Sequence, residues 1–157
     1  MSDKKIEVLN NLLIQIEKSI SFKDKKNTQI SKSDIGWQLD HALKVINAVC
    51  PILAKTDPKK YKSNFNLWRT ILFSLSYFPR GKARAPKIVS PPNIIHTQDL
   101  RNQLQTAKTH IENIKSHHKN AFFIHHIFGM LSKKQTLRFL VIHTKHHLKI
   151  VNDILKK

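Results

Sequence analysis

The chain has 157 residues, and its 28 lysines and arginines against 10 aspartates and glutamates give a formal charge of +18. This length suits one folded domain with a buried core, which we predict over residues 1–157. The chain has three glycines, too few for turn-rich β structure. The single cysteine, Cys50, excludes an intrachain disulfide bond and a cysteine-based zinc module.

The N-terminal segment carries too many polar residues for a signal peptide. Asn10, Asn11, Gln15 and Glu17 interrupt its apolar residues. No stretch of the sequence approaches the ~18 to 20 consecutive apolar residues that span a bilayer. We therefore expect a soluble, cytoplasmic protein with no membrane partner.

Apolar residues recur at steps of three and four in successive segments, which predicts amphipathic helices. The first four stripes are Ile6, Leu9, Leu13, Ile16 and Ile20; Ile35, Leu39, Ala42, Ile46 and Val49; Tyr61, Phe65, Trp68, Leu72 and Leu75; and Leu100, Leu104, Ala107, Ile111 and Ile114. Asp57 followed by Pro58 is a start signal for the third helix. Ser132 and Gln135 form a capping box that starts a final helix running to the C-terminus.

Two stretches interrupt these helices. Residues 79–96 carry four prolines and cannot form a regular helix, and residues 117–131 lack a helical stripe. The sequence thus predicts an all-α protein with about five helical segments and two long loops. The simplest arrangement is a four-helix bundle with one element split or appended.

His143 and His147 lie one turn apart on the same face of the final helix, beside Leu140, Ile150 and Ile154. Neutral imidazole is a common zinc ligand, so two rings that reach one point suggest a metal site. Spacing alone favours a simpler interpretation, in which both rings are half-buried and hydrogen-bond to neighbours.

A third histidine, His41, lies on the flank of the second stripe, one turn after Trp37. A bundle could bring His41 opposite His143 and His147. Three neutral histidines would leave at least one coordination position open, which is typical of catalytic metal sites. The alternative for His41 is a boundary residue hydrogen-bonded to a neighbour.

Four segments carry a resemblance to a known family: GWQLDHALKV, PRGKARAPK, FFIHHIFGML and LRFLVIHTKHHLKI. Together, and in this order, they resemble the DinB/YfiT-like superfamily of bacterial metal-binding four-helix bundles, within which they match best an uncharacterised branch. The resemblance covers most of the chain. It implies a metal triad of His41, His143 and His147.

The same resemblance suggests residues around the triad. Relatives tend to carry a His-Pro pair before Phe-Gly, where this chain has His125, His126 and Ile127. His125 is therefore a candidate pocket residue. Helical position, rather than the resemblance, adds two more residues. Trp37, one turn before His41, is a candidate pocket wall, although an aromatic residue at that spacing is more often part of the core. His146, one position off the triad face, is a candidate for contact with a ligand histidine or with solvent.

The superfamily includes enzymes that use low-molecular-weight thiols, such as bacillithiol transferases and a mycothiol-dependent isomerase. The resemblance therefore implies a metal-dependent S-transferase, whose partners are a bacillithiol-like thiol and an electrophile. A metal-bound thiol is deprotonated, which makes it a nucleophile at neutral pH. Zinc and nickel are the expected metals, and Lys82, Arg84 and Lys87 are candidates for attracting an anionic thiol.

Other functions stay open. A metal-dependent hydrolase would use an activated water, but the H-E-x-x-H pattern is absent because Thr144 follows His143, and Asp40 points about 100° around the helix from His41. A non-catalytic metal-binding bundle is also open, as is a homodimer. Specific nucleic-acid binding is less favoured, since the lysines are spread over every segment. Cys50 is interpreted as a core residue.

Overall fold

A computed structural model describes residues 2–81 and 85–156, and the chain in it is mainly helical with one small sheet. The α-helices are α1 (Ser2–Ser19), α2 (Ile35–Lys55), α3 (Leu67–Leu75), α4 (Thr97–Asn113) and α5 (Lys133–Leu155). Strands β1 (Phe122–His125) and β2 (Gly129–Ser132) form an antiparallel hairpin between α4 and α5.

The four longer helices enclose the main core. Helix α1 packs against α4 and α5, and α2 packs against the same two helices. The predicted stripes of the first, second and fourth helices are buried throughout, as the 3.6-residue period requires. Burial of each such aliphatic side chain contributes about 1.5 to 3 kcal/mol, so these stripes account for the arrangement of the helices.

Side-chain caps fix where the two site-bearing helices begin. Asp34 accepts a hydrogen bond from the Trp37 backbone N–H at 2.8 Å, which starts α2. The predicted capping box of α5 is confirmed, because Ser132 accepts from the Gln135 N–H at 3.4 Å while Gln135 accepts from the Ser132 N–H at 2.9 Å. Both caps satisfy N–H groups that a helix start leaves unpaired.

The prediction for the third helix is wrong in its start and in its stripe. Asp57 and Pro58 form only a short 3-10 turn, Pro58–Lys60, and α3 begins later, behind the Asn66 cap. Phe65 and Trp68 are exposed rather than buried. The stripe misleads because this helix is short and has the core on one narrow side only, where Leu72 and Phe73 pack.

The fold is mainly helical as predicted, and the stretch 117–131, predicted only as a non-helical loop, contributes to a small two-stranded sheet. Register pairs His125 with Gly129, so three residues form the turn, and Gly129 takes the positive φ of +69° that such turns need. A side chain at Gly129 would also collide with Asn64, since a Cβ would lie 2.8 Å from the Asn64 amide nitrogen. The sheet forms because it buries Phe122 and Leu131 against the helices.

The described part of the 79–96 loop is irregular apart from one 3-10 turn, Lys87–Val89, as predicted from its prolines. This turn lies against α2 and buries Val89. This part of the loop is therefore packed against the helices rather than extended into solvent.

Arg69 on α3 joins two irregular pieces of chain. Its buried guanidinium donates to the Asn64 side chain at 2.8 Å and to the Phe128 carbonyl at 3.0 Å, and it also bonds the Asn64 carbonyl. A single cation thus satisfies acceptors from the segment before α3 and from the hairpin turn. Hydrogen bonds to charged groups stabilise more than neutral ones.

We expect Arg69→Ala to lower the free energy of unfolding by about 2 to 3 kcal/mol, because it leaves these buried acceptors without a donor. Urea denaturation followed by circular dichroism measures the change. Arg101→Ala, at an exposed position of α4, is the control and should change stability by less than about 0.5 kcal/mol. Equal effects from the two substitutions would show that Arg69 does not hold these segments together.

Candidate metal centre

Three histidines converge between α2 and α5. One ring nitrogen from each of His41, His143 and His147 lies within 4.8 Å of the other two. The ring centroids are 5.1 Å apart for His41 and His143, 4.8 Å for His41 and His147, and 4.6 Å for His143 and His147. The three rings are therefore close enough to bind one metal ion.

The ring of His41 is held by the 79–96 loop. Its Nδ1–H donates to the Val89 carbonyl at 2.8 Å. A carbonyl only accepts, so the proton lies on Nδ1 and Nε2 keeps a free lone pair. This is the hydrogen bond that commonly orients a metal-binding histidine.

His147 is held in the same way from α2. Its Nδ1–H donates to the Gln38 side-chain oxygen at 2.7 Å, and the Gln38 amide nitrogen donates in turn to the Ser31 hydroxyl at 3.2 Å. An amide oxygen only accepts, so the proton of His147 lies on Nδ1. His147 therefore also keeps Nε2 free for a ligand.

His143 differs from the other two rings. Its Nδ1 is buried and has no hydrogen-bond partner among the described residues. A buried polar atom without a partner costs free energy, which a bound ion or water would recover. The orphaned nitrogen is thus a structural observation that favours a ligand at this point.

All three imidazoles are held in the neutral form that coordination requires. Burial lowers the pKa of His41 below its ordinary value of 6.5. Burial also lowers the pKa values of His143 and His147 well below 6.5, and the neighbouring imidazoles lower them further. The residues present therefore fit a divalent metal in number and in charge, and His41 and His147 fit it in tautomer as well.

Trp37, His125 and His146 surround these three rings. Trp37 stacks on His41, with ring centroids 5.2 Å apart and an interplanar angle of 23°. His146 packs edge-on against His147 at 5.0 Å, and burial followed by the charge of Arg80 lowers its pKa. All three predicted residues line the same cavity as the triad.

His125 has a structural role in the hairpin turn. Its Nδ1 accepts hydrogen bonds from the backbone N–H groups of Ile127 and Phe128, at 3.1 and 3.3 Å. Burial, followed by the nearby His126, lowers the pKa of His125 to about 4. The ring is thus a neutral cap of the turn, and the turn itself forms part of the cavity wall.

The histidines open onto a cavity of about 680 Å³. Its wall comes from α2, α3, α5, the hairpin and the 79–96 loop, and among the described residues no aspartate, glutamate, lysine or arginine lines it. Of the candidate cations, Lys87 is exposed and does not line the cavity, while Lys82 and Arg84 lie outside the described residues.

Neither Asp40 nor Cys50 lines the cavity. Asp40 is buried, pairs with Lys44 at 2.8 Å and accepts from Gln103 at 2.7 Å. Cys50 is buried in the core as predicted, and burial raises the pKa of its thiol to about 12.

Sequence reasoning missed Gln38 and Val89. Gln38 precedes His41 by three residues, so the two share a face of α2, and a polar residue at that spacing could have been noticed. Val89 acts through its backbone carbonyl, for which the identity of the side chain gives no signal.

Comparison of the chain with family models, with curated proteins and with solved structures finds no match. Across residues 2–81 and 85–156, no helix is long and apolar enough to cross a membrane.

The histidine pKa values predict how stability depends on pH. The unfolded chain takes up protons near pH 6.5, whereas the buried imidazoles resist protonation to lower pH, as far as about 4 for His125. The contribution of these histidines to the free energy of unfolding should therefore be present in full above pH 6.5. It should be lost progressively as the pH drops from 6.5 towards 4. Urea denaturation at several pH values, in the presence of a chelator, measures this slope.

His143→Gln removes one of these buried groups and should make the slope shallower. His96→Gln, at an exposed position before α4, is the matched control and should leave the slope unchanged. If the free energy of unfolding depends on pH in the same way in both variants and in the unaltered protein, His143 is not held neutral.

Proposed function

We propose that the chain is a metal-dependent S-transferase of DinB/YfiT type, built on a four-helix bundle, that joins a low-molecular-weight thiol to an electrophile. The observation that carries this proposal is the convergence of three neutral histidines at a cavity whose described wall holds no carboxylate. His41, His143 and His147 would hold the ion, and zinc or nickel suits imidazole ligands.

A bound divalent ion would lower the pKa of a coordinated thiol, so that the thiol reacts as a thiolate at neutral pH. The protein's own contribution is orientation. The Val89 carbonyl and the Gln38 amide hold the Nδ1 protons of His41 and His147, which leaves both Nε2 atoms free. Three protein ligands leave at least one position for a substrate.

The proposed reaction is a substitution that needs only the thiol and the electrophile. The thiol sulfur forms a bond to an electrophilic carbon, and the bond from that carbon to its leaving group breaks. The leaving group departs with the electron pair, and the thiol proton is released to solvent. The largely apolar wall limits water at the reacting carbon, which favours transfer to sulfur over hydrolysis.

A metal-dependent hydrolase is the second candidate. Activated water usually works with a general base, and the nearest acidic residue in sequence, Asp40, is already paired with Lys44 and Gln103. This engagement disfavours hydrolysis. A metal-binding protein without catalytic activity is the third candidate, and turnover is what distinguishes it from a transferase.

The metal proposal predicts that His41→Ala, His143→Ala and His147→Ala each lower metal content sharply, because each removes one of three ligands. Elemental analysis of protein purified without an affinity tag, together with calorimetric titration of zinc and nickel, measures the loss. Binding of one ion per chain by the unaltered protein is the expected reference.

Two further variants make this test specific. His146→Ala should retain most of the affinity, since His146 contacts His147 but is not one of the three converging rings. Gln38→Met should weaken binding by about 10- to 100-fold, because it removes the acceptor that orients His147. A loss from His146→Ala as large as that from His143→Ala would mean that the assigned triad is wrong.

The thiol proposal predicts a spectroscopic and a kinetic result. In cobalt-loaded protein, bacillithiol or another small thiol should shift the visible absorption bands, since sulfur replaces an oxygen ligand. The same protein should accelerate conjugation of that thiol to an aryl halide. His143→Ala should abolish both effects while the helical circular dichroism signal stays.

The two readouts separate the candidates. Absorption bands that no thiol shifts would rule out thiolate activation for the thiols tested and would favour hydrolysis or a non-catalytic site. Shifted bands without conjugation to any electrophile would favour the non-catalytic protein.

A further inference from the structure

The cavity beside the three histidines is built mainly of hydrocarbon. Val45 and Val49 of α2, Leu72 of α3 and Val89 of the 79–96 loop all face it. Among the described residues, the only lining residues with polar side-chain atoms are histidines and the tryptophans Trp37 and Trp68. Away from the histidine rings, the hydroxyls of a sugar-like ligand would lose water without gaining partners.

One side of the cavity is a cluster of aromatic rings. Phe128 lies 5.7 Å from Phe78 and 6.3 Å from Phe139, and Phe123 lies 6.5 Å from Phe139, all between ring centroids. His125 stacks on Phe128 at 4.5 Å. Because these rings pack against one another, the apolar surface exists before any ligand arrives.

The mouth of the cavity is apolar as well. Trp68, Ile88 and Ile127 line it, yet 63%, 83% and 40% of these residues remain exposed. Exposed apolar side chains grouped around a concave surface are typical of ligand-binding grooves. The chain as a whole has a formal charge of +18, whereas these three exposed residues are apolar.

We infer that this cavity binds an apolar molecule with a long alkyl or aromatic body. The volume of about 680 Å³ falls within the ~300 to 1,000 Å³ of pockets that hold drug-sized ligands, so it has room for more than a small thiol. That this molecule is the electrophile of the transfer rests on the proposed function. Its binding to the cavity does not, because the apolar wall is formed without the metal.

The test uses the full-length, metal-free protein and a series of straight-chain 1-alkanols. Both tryptophans of the chain line the cavity, so intrinsic fluorescence reports on binding there. We expect saturable binding whose affinity rises about fourfold with each added methylene, the factor that corresponds to burial of one CH₂ group. A disaccharide should produce no saturable change.

Val45→Phe supplies the matched variant. The larger side chain fills part of the cavity and should weaken alkanol binding by about tenfold or more, whereas Ile52→Phe, at an exposed position of the same helix, should not. Circular dichroism melting shows whether both variants fold. Affinity that does not depend on chain length, or that Val45→Phe leaves unchanged, would overturn the inference.

Metal titration of the same samples separates this inference from the proposed function. If the protein binds alkanols but no metal, the inference of an apolar site is supported and the proposed metal centre is wrong. If it binds metal but no alkanol, the metal centre is supported and the inference is wrong. In metal-loaded protein, kcat/KM for conjugation of a thiol to 1-bromoalkanes should rise with chain length. Here the C–S bond forms and bromide leaves with the electron pair. Turnover without any chain-length preference would overturn the assignment of the apolar molecule as the electrophile.

Discussion

Three imidazole rings can be buried side by side only while they stay uncharged. In this protein the condition is met by burial, which lowers the pKa of each ring, and by hydrogen bonds that place the protons of His41 and His147 on the side away from the cluster. The Val89 carbonyl oxygen accepts the hydrogen bond from His41, and the Gln38 amide oxygen accepts the one from His147. Keeping the rings neutral thus explains two features of the structure. Val89 of the 79–96 loop lies against α2, and the Nδ1–H groups of His41 and His147 point away from the other rings.

The hydrogen bond between His41 and Val89 also helps to shape the cavity. Because His41 bonds to Val89, the loop that carries Val89 lies beside the rings and closes one side of the space in front of them. The hairpin closes another side, and Arg69 ties its turn to the segment before α3. The parts of the chain that are not long helices therefore form much of the wall around the candidate centre.

The distribution of charge separates the cavity from the surface. Asp40, the acidic residue beside His41 in sequence, is engaged with Lys44 and Gln103, and no aspartate, glutamate, lysine or arginine among the described residues lines the wall. The described wall therefore offers no carboxylate that could act as a base. The apolar wall also favours a hydrocarbon partner, which connects the proposed transfer with the inferred alkyl or aromatic substrate.

The sequence by itself determined the features that depend on local pattern. The stripes of α1, α2 and α4, the Ser132–Gln135 capping box and the one-turn spacing of His143 and His147 are all set by residues close in the chain. Tertiary structure decided the rest. The short, exposed α3 and the hairpin depend on which neighbours cover them, and the meeting of His41 with α5 joins residues about a hundred positions apart. The orienting role of Val89 could be seen only in the fold, because a backbone carbonyl is the same in every residue and only its position makes it a partner for His41.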